Sequence, residues 1–524
     1  MRAIEVYTLV SLRDILRRFV VELAVATTIV ALSVMIGWNG SAVAATVSLS
    51  SISNIQNEVN SHPAGTTFTL QPGVYRTNSI TLSALNNGDS FIGQAGAIMD
   101  GAKVLTGWRQ ATIHGVHYWT TAGGTPMATP ACGFTFSCCM PDYPACNYVQ
   151  DLYLDNLEYK HVTSLGGIGT GKNWYYDFGG GDGGIRNNVY LPAAANPNSH
   201  SVELGDTPYA FKGTASNVTI RNLTIEKYAP AILSGTIQVL GPNWLIQNNQ
   251  VRLNHGIGIS DKQGGTNVQV LGNNVHHNGD TGISGPGSGG RWDSNTVAYN
   301  NADGVNTDYA GGGTKFTGNN VTVSNNVVHD NFGAGLFTDA GGTHNTYDHN
   351  TAYNNTTWGI RYETSRYGTI TNNLVYGNGN STHSSQIAYA GSDHGRISGN
   401  TVIDGGSGAI VIVNIVGSRP NGGSNPIYKV TDTQITSNTI WLPTNASDVA
   451  AGLIDHALPH QPSIYSDRTN FFNHNTYEFS ASVRSSWHWG ETTGQPLSWS
   501  AWRTDRQDPN GTTRSSSPRP SLTQ

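Results

Sequence analysis

From Asn217 onward the chain repeats one phrase: Ile-Arg-Asn222, Gln-Asn-Asn249, Gly-Asn-Asn274, Asp-Ser-Asn295, Ser-Asn-Asn326, Asp-His-Asn350, Thr-Asn-Asn373 and Ser-Gly-Asn400. Neighbouring copies are 27, 25, 21, 31, 24, 23 and 27 residues apart. A short alternating apolar segment follows most copies and ends in another asparagine: Asn254, Asn278, Asn300, Asn331, Asn355 or Asn378. A glycine then opens a second short segment. Strands of three to five residues at this period cannot bury an apolar face alone, so they must stack on one another as a solenoid. Gly and Asn tolerate the left-handed backbone angles that bends between such strands require. Stacked Asn side chains can also hydrogen-bond from coil to coil. No run of ten or more residues keeps a helical period, which excludes an α-solenoid. The reading is all-β: a parallel β-helix over residues 46–510, with its repeats clearest over 217–440.

Outward from the repeats, the first 45 residues read as a signal peptide. Arg2, Arg13, Arg17 and Arg18 precede an apolar run from Leu23 to Trp38, and Ala42-Val43-Ala44 supplies a small-residue cleavage site. An uncleaved membrane anchor is the competing reading of that segment. No later segment is apolar for long enough to span a bilayer, so the mature chain is expected to be secreted, with no membrane partner after cleavage. A net charge of −6, with 12% charged residues, argues against a nucleic-acid partner. The 63 Gly beside 23 Tyr and 12 Trp suit stacked strands and turns, and are too aromatic for disorder.

Ile52, Ile55 and Val59 stand at helical spacing, which predicts a short capping helix over Ser51–Ser61 at the N-terminal end. Cys132, Cys138, Cys139 and Cys146 lie in one stretch, the Cys-rich loop 130–147. An even count in an exported chain predicts two disulfides, with the adjacent pair the least favoured pairing. A zinc knuckle is the alternative, and the adjacent cysteines fit its spacing poorly. The Gly-rich stretch 166–184 carries Trp174, Tyr175 and Tyr176, read either as an exposed sugar-stacking loop or as ordinary packing. After Asn438 the period fades into an aromatic section, Trp487 to Trp502, expected to cap the last coil. Residues 511–524 read as a disordered tail.

Chemistry is sought on the segment opened by Gly256, Gly282, Gly304, Gly335 and Gly359. If the next residue of each points inward, alternation sends Asn306/Asp308, Phe337/Asp339 and Arg361/Glu363 outward in consecutive coils. Three carboxylates about 4.8 Å apart in one column would repel, and at least one would titrate high. A solvated face neutralised by Arg361 is the plain reading. A Ca²⁺ held by Asp308, Asp339 and Glu363 would also relieve the repulsion. As a glycosidase, Asp339 and Glu363, one coil apart, match the carboxyl separation of about 5–5.5 Å used for retention, while Asp308 and Glu363, two coils apart, approach the upper end of the inverting range of about 6.5–9.5 Å; the first pair is preferred, with Asp308 in support. Phe337 would be a sugar platform, and no cofactor is required. A lyase or uronate epimerase would instead draw a cation or base from Arg361, Arg366 or Lys315, and exchange the proton at His344 or Tyr309.

With Gly335-Leu336-Phe337-Thr338-Asp339, Gly359-Ile360-Arg361-Tyr362-Glu363-Thr364-Ser365 and their Asn-Asn coils, the chain resembles the secreted β-helix proteins of the pectate-lyase-like superfamily. The resemblance implies a right-handed helix and a polysaccharide or oligosaccharide held in a groove along one parallel sheet. It does not choose among lyases, glycoside hydrolases, epimerases and non-enzymatic glycan-binding surface proteins. The clustered catalytic signature of polygalacturonases and the Asp-Pro-His motif of alginate epimerases are both absent. Hydrolysis is slightly favoured, because the column is rich in carboxylates.

Overall fold

The computed structural model describes residues 45–129, 137–261, 264–379, 384–403, 408–415, 430–442, 449–457, 459–479, 486–491 and 496–515. The expected signal peptide, apart from Ala45, lies outside the described residues, as does Cys132. The described residues from 46 to 515 form one compact unit. No helix among the described residues is long and apolar enough to cross a membrane.

Three long sheets, hydrogen-bonded in parallel from coil to coil, make the body. Sheet A stacks 13 strands from Thr46–Leu49 to Phe471–Asn473, and sheet B stacks 13 from Gly73–Arg76 to Thr512–Ser515. Sheet C stacks 12, from Ile80–Leu82 to Trp487–Glu491. Each coil visits A, then B, then C. Inward residues form columns, such as Val270, Trp292, Val323, Tyr347, Ile370 and Ile397 on sheet A, all buried. Burial of such columns holds strands of three residues that could not persist alone.

The asparagine phrase is the corner between sheets A and B. Its first residue takes a left-handed φ, 54° at Asn248, 55° at Asn325 and 55° at Asn372. The second residue turns inward and donates its amide to the carbonyl oxygen of its counterpart one coil on. Asn249 reaches Asn273 at 3.1 Å, Asn326 reaches Asn350 at 3.0 Å and Asn400 reaches Asn438 at 2.9 Å. The ladder passes through Asn273 rather than Asn274, because Gly272 (φ 64°) supplies the left-handed bend in that coil. A second ladder, at the corner between B and C, links Asn254, Asn278, Asn300, Asn331, Asn355 and Asn378 and ends on Gln386.

The ends differ in detail from expectation. The N-terminal helix, α1 (Ile55–Ser61), starts later than predicted: Asn54 caps it, Ile55 and Val59 are buried, and Ile52 is 94% exposed. The period does not end at Asn438. The first ladder goes on to Asn475 at 3.0 Å and closes on Asp508 at 2.9 Å, over steps of 37 and 33 residues. Trp487–Glu491 is therefore a strand of sheet C, and the aromatic cap is built with a second helix, α2 (Trp499–Thr504), whose Trp502 packs on Phe472. Thr512–Ser515 pairs with Thr476–Phe479, so the chain is ordered where a tail was expected to begin at 511.

The largest departure is an insertion. Where sheet B should turn to sheet C after Ala97–Asp100, the described residues between 102 and 205 leave the solenoid and include an eight-stranded, mainly antiparallel sheet with its own core. Trp174 lies in that core at 0% exposure, on strand Asn173–Tyr176. It is no sugar-stacking loop residue, because the glycines around it turn between buried strands. Cys139 and Cys146 form a disulfide and Cys138 is also disulfide-bonded, which removes the zinc reading. This stapled loop lies on the solenoid through a bridge between Cys139 and Val305.

Candidate functional site

Two places on the molecule gather chemistry, both beside sheet C. The first is the predicted outward face. Ser284, Lys315, Phe337, Arg361 and Ala388 fall in one row across adjacent strands, and Thr317, Asp339, Glu363 and Ala390 follow two residues on. Leu336, Ile360 and Tyr362 point into the core, so the assumed alternation holds for these coils.

Asp308 is not in the column. The 31-residue step before Asn326 contains a loop, and its sheet-C strand starts at Thr314, not beside Gly304. Lys315 takes the place assigned to Asn306, and Thr317 the place assigned to Asp308. Asp308 is exposed in the loop. Asn306 is committed to the stapled segment: its side chain donates to the Ser137 carbonyl at 3.0 Å and its N–H to Cys138 at 2.7 Å. The three-carboxylate calcium set is therefore not assembled.

The two remaining carboxylates alternate with cations. Lys315 Nζ lies 3.0 Å from Asp339, and Arg361 pairs with Glu363. Asp339 also accepts from the Ala340 N–H at 2.7 Å and the Thr364 hydroxyl at 2.9 Å. Phe337, at 1% exposure, is no open platform. Lys315 and Arg361 cover its ring at 4.9 and 5.0 Å, an arrangement in which cation–π attraction holds both cations over the face. The aromatic groups a ligand could meet are Tyr309, 36% exposed, and the half-buried Trp358, over which Arg361 lies at 3.7 Å. His344 and Arg366 sit at the other end of the strands, where sheet C turns to sheet A. His344 stacks on Tyr367 at 4.6 Å, and Arg366 grips Asp393 with two contacts of 2.9 Å.

The second place was not anticipated. Where the insertion meets the corner between sheets B and C, a cavity of about 340 Å³ is lined by Tyr143, Cys146, Glu158, Lys160, His161 and Asp303, among others. Asp151 and Asp303 both line it, and the buried His255 Nδ1 lies 3.1 Å from Asp151 and 3.0 Å from Asp303. Burial alone would depress His255, but the Asp151 and Asp303 charges hold it well above the usual histidine range. Burial, then the Asp303 charge, pushes Asp151 up to about 6. Burial and the same two aspartates raise Glu158 well above its ordinary range, and its carboxyl hydrogen-bonds Asp303. Burial and the neighbouring His255 charge lower His161 to about 3. Trp174 stacks on His161 at 4.0 Å, so it orients this wall from behind. Asp151, His255 and Asp303 are too far apart in sequence for periodicity to join them. The one readable hint is that His255 stands directly after ladder residue Asn254, where the next coil has Gly279.

The fold and this face together define the class, a right-handed parallel β-helix protein. Residues 235–402 match the family model described as "Right handed beta helix region". Two solved structures are similar across most of the chain. XylC, solved in complex with xylose, is 12% identical, with 83% of each chain covered and a TM-score of 0.59. The A-module of the Azotobacter vinelandii mannuronan C-5 epimerase AlgE6 is 15% identical, covering 90% of this chain and 97% of its own, with a TM-score of 0.50. No curated protein matches the sequence.

Proposed function

We propose that this chain is an exported carbohydrate-active enzyme that cleaves a polysaccharide by retaining hydrolysis on sheet C. The observation that carries the reading is the register of Asp339 and Glu363. They follow the paired residues Thr338 and Tyr362 on adjacent strands, so their carboxyl groups belong to neighbouring coils, that of Glu363 buried beside Arg361. Neighbouring strands lie about 4.8 Å apart, close to the separation of about 5–5.5 Å that retention uses. Asp339, surrounded by donors, is suited to attack the anomeric carbon and form a covalent glycosyl ester. Glu363 donates a proton to the leaving oxygen, then takes one from the water that breaks the ester. Its pairing with Arg361 opposes that role until the guanidinium turns away from the carboxylate. The likeness of the fold to XylC and to the epimerase module supports a saccharide as partner.

The cations in the same row favour a second reading, in which Lys315 and Arg361 neutralise a uronate and the chain is a lyase or epimerase. Incubation with neutral and uronate polysaccharides, with and without Ca²⁺, separates the readings. Hydrolysis gives new reducing ends without unsaturated-uronate absorbance; a lyase gives both. An epimerase gives neither, and changes the uronate composition seen by NMR. No product from any substrate, with glycan binding retained, would make the chain a binding protein and overturn the enzymatic reading.

A further inference from the structure

Elsewhere in the described residues, buried carboxylates are matched by fixed cations or by backbone donors. Lys227 and Arg76 serve Asp100 and Glu203, and Lys315 and Arg361 serve Asp339 and Glu363. Asp280 accepts the N–H groups of Leu233 and Thr281, and Asp455 those of Ala457 and Gln461. The cavity beside the insertion departs from this rule. Asp151 and Asp303 have His255 between them and Glu158 beside them, and no Lys or Arg pairs with either aspartate among the described residues. Lys160 reaches the cavity wall, but its Nζ donates to the Asp142 carbonyl at 2.7 Å and lies over the Tyr143 ring.

We infer that Asp151, His255 and Asp303 form a binding site for a divalent transition-metal ion, Zn²⁺ or Mn²⁺, with Glu158 at hand as a further ligand and the cavity on its open side. The donor geometry fits. His255 Nδ1 stands 3.0–3.2 Å from the carboxylate oxygens, the spacing of neighbouring donors on one ion with bonds of about 2.1 Å. All three donor atoms lie within 4.8 Å of one another, so a small inward turn of one carboxylate closes the shell. One imidazole with two or three carboxylates suits Zn²⁺ or Mn²⁺; Ca²⁺ takes oxygen ligands.

Two further features point the same way. The His161 imidazole, stacked on Trp174, lines the cavity and adds a polar group beside the space where a metal-bound water or ligand would sit. Gly279 makes the cluster sterically possible: a Cβ there would lie 1.8 Å from the Asp303 carboxylate and 2.2 Å from the His255 carbonyl. The ion would tie the insertion, through Asp151, to two coils of the solenoid. This site is separate from the sheet-C carboxylates and does not depend on their role.

The test uses the full chain, stripped with chelator and titrated with Zn²⁺ or Mn²⁺ by calorimetry, with thermal melts run in parallel. The expected result is one ion bound per chain and a higher Tm, since an ion that binds only the folded state stabilises it. Asp303→Asn and Gly279→Ala should lose this binding, each checked for native circular dichroism without metal. Asp339→Asn, on sheet C, should bind as the unaltered protein does. Absence of binding by the unaltered protein would overturn the inference and leave a His255 imidazolium bridging two aspartates. Undiminished binding in a folded Asp303→Asn, or a response to Ca²⁺ alone, would overturn it equally.

Discussion

At the scale of single residues, the outward register was legible and the partners were not. Alternation from Gly335 and Gly359 placed Asp339 and Glu363 on one face, and the strand pairing agrees. It could not show that Lys315 and Arg361 would interleave with them, because Lys315 entered the row only after the loop before Thr314 was counted out. Under the proposed mechanism, Asp339→Asn and Glu363→Gln should each reduce cleavage by a factor of 10² or more while the melt stays cooperative. Full activity in either variant removes that carboxylate from the mechanism. Asp89 makes a prediction of a different kind. Burial pushes its carboxyl from 3.8 up to about 6, against the hydrogen bond that it accepts from the Thr66 N–H. The folded state therefore binds more protons than the unfolded state between those values, and stability falls as pH rises through that window. Asp89→Asn cannot ionise, so its Tm relative to the unaltered protein should climb from pH 4 to pH 7; a constant difference would contradict the assignment.

At the scale of elements, the asparagine phrase carries the argument. Its period was readable because the left-handed bend and the inward carboxamide each demand a particular residue type, coil after coil. The ladder position was misread by one residue at Asn274, because Gly272 can supply the bend as well as an asparagine can. The periodicity after Asn438 was missed for another reason: longer loops stretched the step while the ladder contact survived. Asn331 shows what each rung is worth. Its amide donates to the Val297 and His329 carbonyls and to Asn355, and its oxygen accepts from Asn300. Asn331→Ala would leave several buried groups unpaired, at about 1–3 kcal/mol each. A large drop in Tm is expected. Asn267→Ala removes only an exposed 3.3 Å contact with Asn243 but puts alanine at a left-handed φ of 54°, so it should cost less, no more than about 1–2 kcal/mol.

At the scale of the molecule, the inserted sheet decides how the solenoid is used. It docks along the corner between sheets B and C, and a buried charge cluster holds part of the seam. Lys227, 2% exposed, meets Glu203 of the insertion at 2.5 Å and Glu226 of sheet B at 3.3 Å. Lys227→Met would strip a cation from buried carboxylates, with an expected loss of about 3–5 kcal/mol. Calorimetry should then show the insertion melting before the solenoid; an unchanged melt would mean that Arg76 and Arg252 suffice. The stapled loop extends the same seam to residues 304–306, where the Met140 N–H donates to the Gly304 carbonyl and the Asn306 N–H donates to the Cys138 carbonyl.

The sequence alone determined what local chemistry repeats: a parallel β-solenoid of short strands, its corner asparagines and the face that carries Asp339 and Glu363. These follow from residue type and spacing over a few dozen positions, and each coil restates them. Only the tertiary structure decided what has no period. Residues 102–205 fold back against the coils and bring Asp151 to His255, 104 positions away, and to Asp303. The same docking buries Trp174, and a loop counted as a strand carries Asp308 out to solvent. Those contacts depend on which surfaces meet when the insertion docks, and no alternation along the chain records that.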